Sequence, residues 1–444
     1  MKNVDLIIDN CLILTDTYDI KENQSIIIKN KQILDITSSE DTKDMYEATT
    51  NISGKNKLFM PGFVDSHMHT CQQLLRGRIA DELPMIWTRI MVPFESNLTK
   101  SDVKISAELA NLEMIKSGTT AFVDAGGIYM DQVAETVVES GLRGVITNST
   151  MDIGGGLPES MVHDGDTLIK NNTELYNNFH GSGDGRLDVW FSLRSIISCS
   201  PELTKRVFDI AAEFDTGVQT HMNEYTNEIS YCLENYQKRP FEYLEDLGVL
   251  TDKFLSAHAI LLSEEEMDII KKYDIKVAHC PISNSGKGFP KAPSLIQRGV
   301  SVGLGTDGTA HGGLSILDEI RTLKALSKYW GVPIFDPRIM PSKLLLELAT
   351  LGGAKAMQKE TEFGTLEVGK KADMIGINID QAHIYPTHDL VNTLVETINN
   401  NDISDMVVDG QIIMKDREVL TMDEERIKFE GAQAMKDIAQ RANI

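Results

Sequence analysis

Two textures share this chain. Residues 4–14 and 25–37 are runs of isoleucine, leucine and valine broken by polar positions. That is the pattern of short strands, and Asn30-Lys31 is a turn dividing the second run. From residue 58 onward, β-rich runs alternate with longer stretches whose apolar residues recur at helical spacing. The β-rich runs are 59–65, 119–124, 145–149, 187–191, 218–220, 254–257, 276–278 and 301–305, and helical patterns cover 101–116, 202–214, 227–247, 264–272 and 314–326. Eight βα units over roughly 300 residues predict an α/β fold with a parallel sheet, suited to a (β/α)8 TIM-like barrel. A doubly wound open sheet shows the same alternation, and strand counting does not separate the two. Past residue 362 the texture returns to β, with a strand at 371–377, a hairpin at 406–414 around Asp409-Gly410, and a charged terminal helix. The expected organisation is 1–57 as the N-terminal part of a small flanking β domain, 58–362 as the barrel, and 363–444 as the C-terminal part of that domain plus the helix.

Composition narrows the function classes. Hydrophobic residues at 41% and charged residues at 25% are ordinary for a globular protein. A formal net charge of −23 argues against nucleic acid or an anionic membrane as partner, and favours a small molecule. Asp5 and Asp9 interrupt any signal-peptide core, and no window approaches the ~18 apolar residues of a membrane helix. Cys11, Cys71, Cys199, Cys232 and Cys280 are scattered with no Cys-x-x-Cys spacing, so a reducing cytoplasm is expected.

The candidate chemistry lies where the strands end. With 58–65 as a strand, side chains alternate, and His67 and His69 beyond it point the same way. An isolated His-x-His carries little, but His221, His258 and Asp307 also end β runs, the fifth, sixth and eighth. In a barrel all five would share the C-terminal face, where barrel enzymes keep their chemistry. His67, His69, His221 and Asp307 make a sound shell for one divalent ion, zinc or iron(II), with a position left for water. Glu224, three residues after His221, is the candidate general acid/base, and His258 is placed to orient the water. No lysine occurs in 187–192, where a carbamylated lysine could bridge two metals, and this favours a single ion.

The ordered segments Pro-Gly-Phe-Val-Asp-Ser-His-Met-His, His-Met-Asn-Glu, Ser-Ala-His, Ala-His-Cys-Pro-Ile-Ser-Asn and Gly-Thr-Asp-Gly resemble the amidohydrolase superfamily. They are most similar to its S-adenosylhomocysteine and methylthioadenosine deaminases, 8-oxoguanine deaminases and triazine hydrolases. The likeness extends to 364–373, Gly-Thr-Leu-Glu-Val-Gly-Lys-Lys-Ala-Asp. It implies a mononuclear site, usually zinc, held by His67, His69, His221 and Asp307. Glu224 would pass a proton to a ring nitrogen, while His258 and Asp307 help activate the water that displaces ammonia. It also implies that His279 lines the substrate pocket, that Glu95 in Pro93-Phe94-Glu95 can hold a ribose, and that the chain forms a dimer or tetramer.

The chain departs from adenosine-type members around the substrate. Their Pro-His-Ser/Ala-Pro run is Leu193-Arg194-Ser195-Ile196 here, an arginine after the third strand is replaced by Thr147-Asn148-Ser149, and Asp307 leads into Thr309-Ala310-His311. Arg194 and His311 are therefore candidates to hold an anionic or carbonyl-rich substrate, with Arg194 as a structural ion-pair partner the alternative. The expected activity is hydrolytic deamination of a purine, pterin, triazine or similar N-heterocycle. The same site could instead release chloride or an alkylamine, or open a ring amide. A catalytically silent scaffold would be expected to lose ligands, and here all four remain with Glu224 and His258.

Overall fold

A computed structural model describes all residues except 83–85, 155–156, 159, 332–335 and 337. Strands from both ends of the chain build one nine-stranded sheet. Lys2–Leu14 pairs antiparallel with Ile20–Lys29 and parallel with Tyr46–Ser53, and Gln32–Ser38 extends that edge. Lys57–Pro61 joins the two ends, lying parallel to Leu12 and Ile13 and antiparallel to Met374–Asn378. Ile403–Val408, Gln411–Lys415 and Glu418–Val419 follow in order. Asn30 and Lys31 (φ 50° and 70°) and Asp409 and Gly410 (51° and 76°) have the positive φ angles that tight two-residue hairpins need.

The remaining strands close a (β/α)8 barrel, which removes the open sheet as an alternative. Phe63–Met68, Thr119–Asp124, Arg143–Ile146 and Leu187–Val189 run parallel in one half. Phe191–Ser195, Val218–Met222, Phe254–His258, Lys276–His279 and Val302–Leu304 form the other. Leu187–Val189 and Phe191–Ser195 are one strand interrupted at Trp190. The Trp190 N–H reaches back to the Ile146 carbonyl and the Phe191 N–H forward to Gly217, both at 3.0 Å. The other seam joins the eighth strand to the first, where the Asp307 N–H donates to the His67 carbonyl at 2.9 Å. Glycine makes that seam close: a Cβ on Gly303 would stand 2.2 Å from Ser66 Oγ.

Two sequence readings are corrected. The run read as one strand from 58 to 65 is two, because Lys57–Pro61 pairs in the flanking sheet and Phe63–Met68 in the barrel. The crossing lies at Gly62, and continuous hydrophobicity hid it because both strands are buried on both faces. The helix read over 227–247 is two, Thr226–Tyr236 and Pro240–Leu247, separated where Gln237 turns left-handed (φ 57°) ahead of Pro240. The terminal helix Glu424–Ala442 docks on the barrel helix Lys100–Ser117, with Arg426 gripping Glu108 at 3.0 and 3.2 Å and Arg441 paired with Asp102.

Arg143, at the start of the third barrel strand, binds Asp373 and Asp409 of the flanking sheet, the latter at 2.9 Å. All three side chains are buried, so removing the cation would leave Asp373 without its charge partner in a low-dielectric seam, while Asp409 would keep Lys31 at 3.0 Å and Lys371 at 3.3 Å. Arg143→Met is expected to destabilise the chain by about 3–5 kcal/mol, measured by denaturant unfolding. A loss below about 1 kcal/mol would show that the seam is hydrated.

Candidate active site

His67 lies within the first barrel strand and His69 just beyond it; His221 is in the fifth, His258 ends the sixth, and Asp307 follows the eighth. These are C-terminal strand ends, and the side chains converge. The Nε2 atoms of His69 and His221 stand 3.3 Å apart, and Asp307 Oδ1 lies 3.4 Å from His69 Nε2 and 3.8 Å from His67 Nε2. His67 has neither ring nitrogen hydrogen-bonded to any described residue, although it is 1% exposed. His221 donates its Nδ1–H to the Arg194 carbonyl at 2.8 Å, which leaves the Nε2 lone pair facing the centre. Facing lone pairs and unpartnered buried nitrogens are what a cation would satisfy, and ligands about 2.0–2.2 Å from a tetrahedral zinc stand roughly 3.4 Å apart. The donor set fits a single divalent ion.

The backbone is strained here. His258 and Asp307 hold φ of 71° and 60°, conformations that cost non-glycine residues about 1–3 kcal/mol and persist where surrounding structure enforces them. Asp65 does much of the enforcing: it accepts from the His67 N–H at 3.2 Å, and from the Thr306 N–H and hydroxyl at 3.1 and 2.5 Å. It thereby ties the strand bearing His67 to the loop bearing Asp307. Burial pushes its carboxyl up to about 7.

Beside this cluster, Glu224 Oε2 lies 3.6 Å from His258 Nε2, and His258 Nδ1 is fixed at 3.0 Å by Asn284 Oδ1. Lys287, missed in the sequence, reaches Glu224 Oε1 at 2.6 Å and stands 4.0 Å from Asp307 Oδ2. It sits in a Ser-Gly-Lys-Gly loop after the seventh strand, where no periodicity indicates its direction. Burial alone would raise the Glu224 carboxyl, but His258 and Lys287 hold it below its usual range. Asp307, likewise buried, is held well below it by His69, His311, His258 and Lys287. The buried Glu228 steadies the loop from beneath, accepting the Asn223 and Glu224 N–H groups at 2.9 and 3.2 Å.

The other pocket candidates are placed as follows. His311 Nε2 is 3.8 Å from Asp307 Oδ2. His279 is buried, its Nδ1 3.4 Å from the Asn284 amide. Arg194 and Glu95 face each other at 3.3 Å, both buried, so each occupies the other.

The buried imidazoles carry a pH signature. Burial and neighbouring histidines push His67 and His221 well below the ordinary histidine range, and burial takes His279 from 6.5 to about 4. A depressed histidine stabilises the fold above its unfolded value, and that contribution is lost as pH falls through the folded value. His279 alone accounts for about 3 kcal/mol between pH 6.5 and about 4. The midpoint of thermal unfolding is therefore expected to fall steeply over that window, and an unchanged midpoint would contradict neutral burial.

A profile of the Amidohydrolase family matches residues 58–413. The chain is 35% identical to a 5′-deoxyadenosine deaminase of Methanobrevibacter smithii, covering 97% of this chain and 99% of that one. It is 32% identical to a 5-methylthioadenosine/S-adenosylhomocysteine deaminase of Thermoanaerobacter pseudethanolicus, covering 99% and 100%. The crystal structure of an adenosine deaminase from Xanthomonas campestris, with bound zinc, superposes with a TM-score of 0.93 at 24% identity over 99% of both chains. That last likeness speaks for the fold. Among the described residues, no helix is long and apolar enough to cross a membrane. The chain belongs to the amidohydrolase family.

Proposed function

We propose that the chain is a metal-dependent hydrolytic deaminase that removes the exocyclic amino group of a purine-like N-heterocycle, acting on a free small molecule in the cytoplasm. The observation that carries the reading is the pairing of Glu224 with His258 at 3.6 Å beside Asp307 and the converging imidazoles. Displacing an amine from an amidine carbon needs one proton on the ring nitrogen and one on the leaving amine, so it needs two proton-handling groups. His67, His69, His221 and Asp307 would hold the metal, and this donor set suits zinc. When bound, the ion supplies a water whose pKa is near neutral.

The chain's own residues do the rest. Glu224 rests ionised against Lys287, so its proton comes from the attacking water and is delivered to the ring nitrogen. His258, fixed by Asn284, presents Nε2 to the same water and with Asp307 passes the second proton to the amino group. One water is consumed; a ring carbonyl and one ammonia are produced. The names of the M. smithii and T. pseudethanolicus relatives support a purine ring and an amine leaving group over chloride or an alkylamine.

The test is ammonia release by zinc-loaded protein from a panel of amino-, chloro- and alkylamino-heterocycles. Ammonia from at least one amino compound, abolished by chelation, is expected. Turnover confined to chloro or alkylamino compounds would overturn the reading.

A further inference from the structure

Deamination chemistry does not account for the wall formed by Gln72, Glu95 and Arg194. We infer that this wall reads a lactam edge, a ring carbonyl beside a ring N–H, so that the substrate is an amino-oxo heterocycle of the 2-amino-6-oxopurine or 2-amino-4-oxopteridine kind. The inference rests on the deaminase reading and narrows its substrate class.

The three side chains adjoin the metal-binding residues. The Arg194 carbonyl accepts from His221 Nδ1 at 2.8 Å, and Gln72 follows His69 by three positions. Gln72 is held against the loop after Asp307, its carbonyl accepting from Thr309 Oγ1 at 2.9 Å. Its side-chain oxygen lies where a Cβ on Gly308 would stand 1.7 Å away, so glycine beside Asp307 makes room for this amide. Gln72, Glu95 and Arg194 are 0%, 2% and 5% exposed.

Glu95 organises the group. Its Oε1 accepts from Gln72 Nε2 at 3.2 Å and from Arg194 Nη2 at 3.3 Å. The first bond sets the amide's orientation, since a flipped Gln72 would put oxygen against carboxylate. Two polar atoms are left buried and without a partner among the described residues: Gln72 Oε1, an acceptor, and Arg194 Nη1, a donor. Buried polar atoms of this kind call for a partner, and an acceptor paired with a donor matches the N–H and C=O of a lactam. Charge points the same way. Arg194 is compensated by Glu95, so the wall offers no net charge to an anionic tail.

Zinc-loaded protein assayed for ammonia with guanine, pterin, adenosine and 5′-deoxyadenosine tests this. The amino-oxo compounds are expected to exceed the adenosine type in kcat/KM by about 100-fold or more, because a site built to hydrogen-bond a group rejects analogues lacking it. Gln72→Met leaves the ion pair intact and is expected to lower that ratio about tenfold. Arg194→Met combined with Glu95→Gln, which keeps the wall neutral, is expected to lower it about 100-fold. Adenosine-type substrates preferred by the native protein, or a ratio unmoved in folded Gln72→Met, would overturn the inference while leaving the deaminase reading in place. Ammonia from no amino-heterocycle would overturn that reading and this inference with it.

Discussion

His67→Ala is expected to leave the purified protein free of metal and to lower turnover by about 10⁴-fold or more. The side chain stands at the middle of the cluster: its ring centroid is 5.2 Å from that of His69, 4.8 Å from His221 and 5.0 Å from His258. Removing it deletes one of the proposed ligands and opens a cavity under the others. Without the ion, water returns toward its bulk pKa of about 15.7, far from usable at neutral pH. Elemental analysis read with ammonia release checks this. A variant that keeps both its metal and more than about a tenth of native turnover would move the centre elsewhere. The strand itself is expected to survive, because the His67 carbonyl and N–H, not its ring, make the bonds to Asp307 and Asp65.

Glu224→Gln separates proton transfer from metal binding. The amide fills the same space but has no carboxylate to take a proton from water and give it to the ring nitrogen. Turnover is expected to fall by about 10²–10⁴-fold with metal content unchanged. Lys287 also loses its 2.6 Å partner in this variant, so the acid limb of the pH–rate profile should change as well as its height. Loss of metal would make Glu224 a ligand, and near-native turnover would remove it from the chemistry.

Much of this site could be read before any coordinates because its residues sit at strand ends, where a β run, a following polar residue and the barrel's handedness together fix direction. His221, His258 and Asp307 were legible that way, and the structure places them with His67 and His69. Where backbone conformation rather than periodicity decides, the sequence was silent. Gly62 divides two strands that are hydrophobic throughout, and Gln237 ends a helix by turning left-handed. Lys287 reaches the centre from an irregular loop, and Asp65 acts through three hydrogen bonds to partners up to 241 positions away. For Arg194 an ion-pair role was the stated alternative and for Glu95 a ribose contact was expected, but their pairing across 99 positions needed the closed barrel to be seen.

The central claim is that water, activated at the His67–His69–His221–Asp307 centre, replaces an amino group. The most direct measurement is turnover of an amino-heterocycle substrate in ¹⁸O-labelled water, with ammonia and product mass followed together. The expected result is one ¹⁸O in the product ring carbonyl for each ammonia released, both ceasing when the metal is stripped and returning with zinc. Ammonia released without ¹⁸O in the product, or turnover unchanged after metal removal, would contradict the account.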